Sequence, residues 1–152
     1  MHEKIILVVE DTPHYAKWQI EALLRTFPDM HIRHVDTLLG AHEILNNPHI
    51  EVYAIMTDNG YPLVPDGERC GSKNEEGGAG TLLIKQIRQG AFGEIYQQIP
   101  IIWHTARISD DKKNRVLSHE NPEYGIFTRC FQKGDGVRPF QKMTAYFHET
   151  VH

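Results

Sequence analysis

Four apolar runs in this 152-residue chain each end in side chains able to do chemistry. KIILVV (Lys4 to Val9) runs into Glu10 and Asp11. VYAIMT (Val52 to Thr57) runs into Asp58, IPIIWH (Ile99 to His104) into Thr105, and the stretch from Gly125 to Gln132 into Lys133. Three carboxylates gathered in one place repel, and some of their pKa values rise unless a cation neutralises them. Mg²⁺ suits such a set, because it takes oxygen ligands, keeps several waters and bridges to phosphate. A carboxylate such as Asp58 can then act as a nucleophile and form an aspartyl phosphate. The ion, the Lys133 ammonium and the Thr105 hydroxyl would share the charge on the phosphoryl oxygens. Each residue also has a plainer reading. Asp58 can be a turn-former closing a strand, Glu10-Asp11 a solvated loop start, Thr105 a cap and Lys133 a surface lysine. Only a fold that brings the four strand ends together separates the two readings.

The apolar patterning predicts such a fold. KIILVV is a near-continuous β-branched run, as in a strand buried on both faces. Thr12-Pro13 is a helix start, and Ala16, Ile20, Leu23, Leu24 and Phe27 make one apolar stripe. HIRHVD (His31 to Asp36) is a more polar strand, suited to a sheet edge, and Thr37 to Asn46 reads as a second helix. After the third strand and a long loop, Gly80 to Gln89 is a third helix. After the fourth strand, Ser109 to His119 is a polar helix capped by Ser109. The fifth strand spans Gly125 to Gln132. A last helix runs from about Val137 to His148 with Phe140, Met143 and Phe147 on one side.

Strand alternating with helix five times predicts an α/β fold with a doubly wound, five-stranded parallel sheet and helices on both faces. The strand order 2-1-3-4-5 suits this count, and ligands of such sheets bind at the carboxyl ends of strands near the switch point. Residues 1–152 are read as a single domain, with a long loop insertion at about 63–79.

Composition excludes several classes. A formal charge of −4, with Lys and Arg scattered, leaves no electrostatic footprint for direct nucleic-acid binding. No apolar stretch nears the roughly 20 residues that span a bilayer, and MHEKIILVVED does not read as a signal peptide. The two cysteines, Cys70 and Cys130, do not suggest a disulfide framework, so a cytoplasmic protein is expected. The ten histidines are spread from His2 to His152, without zinc-site spacing.

Taken in order, these stretches resemble the receiver domain of two-component response regulators, the family of the single-domain chemotaxis regulator. ILVVED resembles the family's first strand and acidic pair, and D58-N-G-Y-P62 its Asp-x-x-x-Pro phosphoacceptor loop. GTLLIKQIR (Gly80 to Arg88) resembles its third helix, IIWHTA (Ile101 to Ala106) its Thr/Ser-Ala strand end, and FQK (Phe131 to Lys133) its lysine. The resemblance implies that Asp58 is the phosphoacceptor. It implies that Glu10, Asp11, Asp58 and the backbone carbonyl of Gly60 hold Mg²⁺. Thr105 would be the switch hydroxyl and Lys133 the phosphate-binding amine. It also implies a histidine kinase or histidine phosphotransfer protein as donor. The output would be protein contact at the surface of the family's fourth helix, fifth strand and fifth helix. Family members occur both as monomers and as phosphorylation-linked homodimers.

The chain departs from the pattern at several points. Gly134 follows the lysine where the family usually has Pro. Cys130 stands where an aromatic switch residue is common, and Phe131 should point to the opposite face of its strand. By the same resemblance, Gly60 and Arg107 would line the route for attacking water and set the phosphoryl lifetime. Trp103 and His104 are expected to be core packing. The stretch LVPDGERCGSKNEEGGA (Leu63 to Ala79) is longer than the family needs and contains two basic side chains, Arg69 and Lys73. A lid, a partner-docking loop and a tolerated insertion are its three readings, with the insertion preferred. The expectation is a receiver-only response regulator; the alternative is a binding module on the same fold that ignores phosphorylation. A haloacid-dehalogenase-type phosphohydrolase needs Asp-x-Asp after the first strand, where this chain has Glu10-Asp11-Thr12.

Overall fold

The computed structural model describes residues 2–70, 78–105 and 128–150. The expected helix at 109–119, the start of the fifth strand at 125–127, Lys73 and Arg107 lie outside the described residues.

The first strand, β1 (Glu3–Val9), is buried without interruption from Ile5 to Val9. It is central because both of its edges are paired. Parallel neighbours are β2 (His31–Val35) on one side and β3 (Ile50–Asp58) on the other. Beyond β3 lie β6 (Ile101–Thr105) and β7 (Thr128–Gln132), so the five-stranded sheet has the order β2-β1-β3-β6-β7 with every pairing parallel. Counting only these five strands, this is the expected 2-1-3-4-5 topology. The polar strand β2 is the edge, as its largely exposed pattern requires.

Strand alternation divides the core into two layers. Ile5, Leu7 and Val9 point to the face covered by helices α2 (Leu38–Leu45) and α3 (Ala79–Arg88), through Leu38, Ala41, Leu83, Ile84 and Ile87. Ile6 and Val8 point to the face covered by helices α1 (Pro13–Thr26) and α4 (Val137–Thr150), through Ala22, Leu23, Phe140, Met143 and Phe147. Thr37 caps α2 by accepting the Gly40 amide at 3.0 Å.

Two local expectations are corrected. Thr12 stands at the α1 N-cap position but makes no side-chain capping bond. The buried face of α1 is Ala16, Gln19, Ala22 and Leu23, whereas Leu24 is 44% exposed. The inward phase of the helix thus carries a glutamine beside Leu23 and leaves Leu24 outside, and Gln19 has polar partners in the interior.

The segment after β3 is also more ordered than a plain loop. Tyr61–Pro62 (β4) pairs antiparallel with Arg69–Cys70 (β5), with Tyr61 opposite Cys70 and Pro62 opposite Arg69. Tyr61 is fully buried and its hydroxyl lies 3.0 Å from that of Thr57. The Leu63 carbonyl accepts the Leu39 amide at 2.9 Å, pinning the ribbon to the start of α2. Asp66, with φ of 62°, and the Gly67 amide bond to the Val64 carbonyl close the turn.

Candidate functional site

The carboxyl ends of β1, β3, β6 and β7 meet at one rim. Register sets the alignment: Val9 lies opposite Thr57, Asp58 opposite His104, and Thr105 opposite Gln132. One residue past β7, the Lys133 amide donates to the Thr105 carbonyl at 2.8 Å. This carries the lysine side chain back over the sheet ends.

Lys133 is the hub. Its Nζ is 2.6 Å from Glu10 Oε1 and 3.1 Å from Asp58 Oδ2, and its side chain is 4% exposed. The ammonium also lies 4.2 Å from the centroid of the Tyr15 ring, a cation–π contact that closes its remaining side. Glu10 is fully buried; besides Lys133 it accepts from Gln19 Nε2 at 3.1 Å. Burial, with the Asp58 charge beside it, pushes the Glu10 carboxyl up to about 8 against the pull of Lys133.

Asp58 is buried and accepts the Asn59 amide at 2.7 Å on Oδ1. Burial works to raise its carboxyl, but the His104 imidazole, the Lys133 ammonium and hydrogen bonds from Glu10 and Lys133 outweigh this and hold it low. Of these, Lys133 is the charge that acts at neutral pH. Burial and the nearby lysine push His104 down to about 3, so that ring is uncharged.

Two layers of contacts brace the acids. On the α1 side, Gln19 bridges Glu10 to His104, its Oε1 lying 2.9 Å from the imidazole Nε2. Among the described residues the His104 Nδ1 has no hydrogen-bond partner. Glu10, Asp58 and His104 each offer a ligand atom within 4.8 Å of the others. On the α3 side, the Asn59 Oδ1 accepts from Trp103 Nε1 at 3.3 Å. The α3 backbone presses on the same turn: the Gly80 amide donates to the Asn59 carbonyl at 2.9 Å, and a Cβ on Gly80 would sit 2.1 Å from the Asp58 carbonyl oxygen. Only glycine permits that approach.

Asp11 is met by a residue from the ribbon. Arg69 Nε lies 2.8 Å from Asp11 Oδ2, and Arg69 NH2 donates to Asp11 Oδ1 at 3.1 Å. The same guanidinium reaches the Gly60 carbonyl at 2.9 and 3.1 Å and Asp58 Oδ2 at 3.5 Å. Partial burial raises the Asp11 carboxyl, and Arg69 counters it.

Glu10, Asp11, Asp58, Gly60 and Lys133 therefore lie within one connected set of contacts. Thr105 closes β6 beside them and is half-buried. Its carbonyl holds Lys133 in place, while among the described residues its hydroxyl makes no hydrogen bond to the acids. Trp103 and His104 are both buried in the core, as expected, but both also hydrogen-bond toward the rim. Cys130 is buried on the Trp103 side and Phe131 packs on the opposite layer, as strand alternation required. Gly134 leaves room for the α4 start, since a Cβ there would lie 2.8 Å from Pro139 Cγ.

Sequence reasoning missed Tyr15, Gln19 and Arg69. Tyr15 and Gln19 sit one turn apart on α1, with Gln19 Nε2 also bonded to the Tyr15 carbonyl. A polar residue at 19, three before Ala22 and four before Leu23, was the available signal. Arg69 gave no local signal, because only the antiparallel ribbon carries it to the rim.

The site's donors suit a divalent cation that prefers oxygen. They are three carboxylates and a carbonyl, and one positive group, the Arg69 guanidinium, already binds Asp11, Asp58 and the Gly60 carbonyl together.

No protein-family model and no curated protein matches the chain. Solved structures do. The Mn(2+)-bound form of response regulator Rcp1 superposes with a TM-score of 0.66 at 19% identity, covering 98% of this chain and 97% of that one. The phosphorylated cyanobacterial phytochrome response regulator RcpA gives 0.64 at 15% identity over 100% and 98%. The signal receiver domain of the DNA binding response regulator merR from Colwellia psychrerythraea 34H gives 0.64 at 18% identity over 95% and 98%. The chain thus has a flavodoxin-like, doubly wound architecture. Within that class its fold is that of response regulator receiver domains, across the whole sequence.

Proposed function

We propose that this protein is a response regulator that accepts a phosphoryl group on Asp58, in a divalent-metal-dependent reaction, and signals through protein contact. The donor is a phosphohistidine on a histidine kinase or phosphotransfer protein, and the setting is a cytoplasmic phosphorelay. The observation that carries this reading is the convergence of Glu10, Asp11, Asp58 and Lys133 on one rim of a receiver fold. The Mn²⁺-bound and phosphorylated states of the structural neighbours support it.

In this mechanism an Asp58 carboxylate oxygen attacks phosphorus. The bond from phosphorus to the donor's histidine nitrogen breaks, and that nitrogen keeps the electron pair and takes up a proton. Asp58 is suited to this because it is held ionised while buried, so little water must be stripped from it. Lys133, already 3.1 Å from Asp58, pairs with an incoming phosphoryl oxygen. Thr105 offers its hydroxyl from the adjoining strand end. Asp11, Asp58 and the Gly60 carbonyl, with Glu10 beside them, would hold Mg²⁺, which supplies positive charge to the phosphoryl oxygens when bound.

Incubation with Mg²⁺ and acetyl phosphate should add the mass of one phosphoryl group, and chelation or Asp58→Asn should abolish the gain. Labelling that survives Asp58→Asn would overturn the assignment. The alternative, a binding module indifferent to phosphorylation, draws on Arg69, which already neutralises part of the acid cluster. It predicts no mass gain in the same assay.

A further inference from the structure

The guanidinium of Arg69 makes contact with three of the four groups assigned above to the metal: both Asp11 oxygens, Asp58 Oδ2 and the Gly60 carbonyl. The fourth, Glu10, is held by Lys133 and Gln19 instead. Two positive side chains thus serve the acids: Lys133 pairs with Glu10, Arg69 pairs with Asp11, and both reach Asp58. Lys133 comes from the sheet itself, and Arg69 comes from the added ribbon. We infer that Arg69 is a resident cation in the metal position, and that a divalent ion binds only by displacing it. This rests on the metal-dependent reading above.

The reason is steric as well as electrostatic. A magnesium ion lies about 2.1 Å from its oxygen ligands, and a manganese or calcium ion not much farther. The guanidinium nitrogens stand 2.8 to 3.5 Å from the same oxygens. The two cannot share one cradle, and like charges so close would repel. Displacement is feasible because the Arg69 side chain is 47% exposed and can turn out to water, and because β4–β5 is a ribbon of only two residue pairs. An arginine fork is also well matched to this task, since it offers several fixed donors to a carboxylate and a carbonyl at once.

The consequence is a tuned metal affinity. In linkage terms the arginine and the ion are competing ligands of one site, and removing the competitor must tighten the other. Titration of the full chain with Mn²⁺, followed by calorimetry and by the electron paramagnetic resonance signal of free Mn²⁺, tests this. Arg69→Ala and Arg69→Gln should each bind Mn²⁺ on the order of ten-fold more tightly than the parent chain. Arg69→Lys, which keeps the charge and loses the fork, should fall between. Limited trypsin digestion gives a second readout: Mn²⁺ should speed cleavage after Arg69 in the parent chain. Equal or weaker Mn²⁺ binding by Arg69→Ala overturns the inference and leaves the metal-dependent receiver reading intact. Failure of both parent and variant to bind Mn²⁺ overturns that reading and the inference with it.

Discussion

Glu10→Gln should gain stability relative to the parent chain as the pH rises toward mildly alkaline values, because it replaces a buried carboxyl that loses its proton there. Glu10 is fully buried and its carboxyl is pushed up to about 8 from 4.5. Between those two values the folded chain holds a proton that the unfolded chain releases. Stability from this group is therefore fully present at low pH and is lost as pH rises toward 8. The slope for one such proton is about 1.4 kcal/mol per pH unit, so raising the pH from about 6 to about 7.5 should cost roughly 2 kcal/mol. Glutamine is nearly the same shape, still accepts from Lys133 or Gln19, and does not titrate. The buried His104, held near 3, adds a slope of the opposite sign below its ordinary value. That contribution is common to both proteins and cancels in their difference. Urea denaturation at several pH values, in chelator to keep the site free of metal, gives both stabilities. The difference between parent and Glu10→Gln should shift by roughly 2 kcal/mol over this range. Two stability curves that run parallel would refute the reasoning, since Glu10 would then titrate alike in both states.

Two further perturbations follow from the same geometry. Lys133→Met leaves Asp58 buried without its strongest partner and should cost about 3 kcal/mol in urea denaturation at neutral pH, much of it recovered by adding Asp58→Asn; strictly additive effects would contradict the pairing. Gly80→Ala places a methyl against the Asp58 carbonyl and should destabilise by roughly 2 kcal/mol despite the better helix propensity of alanine, and a gain in melting temperature would refute the close approach.

The sheet was legible from the sequence because its signals are local. Four apolar runs and the polar edge strand at His31–Val35 marked the five strands, and their alternation with helices suited the observed order. The acids and Lys133 were legible because each follows a strand end directly, and a parallel sheet sends all such ends to one side. Gln19 was not, because helical phase in α1 was read from its leucines. Leu24 faces out because the inward phase runs through Ala16, Gln19, Ala22 and Leu23, with the Gln19 amide bridging Glu10 and His104. Arg69 was not legible for a different reason. Its place depends on a two-rung antiparallel pairing within a segment rich in glycine and charge, where no periodicity announces a strand. His104 was read as packing and does pack against Phe140, but its hydrogen bond to Gln19 is a tertiary fact.

Tyr61 has a consequence for how such a site can diversify. Its ring is sunk in the core three residues after Asp58, so the turn that carries Asp58 is nailed down before the ribbon extends from it. Beyond that anchor, lengthening the chain costs little entropy, because closure grows only slowly with loop length. Insertions and deletions after Pro62 can thus exchange the group delivered to the acids while leaving the carboxylates where they stand. The stretch after Pro62 is an interchangeable arm on a fixed shoulder, and a lineage could change what meets the acids there without rebuilding the sheet.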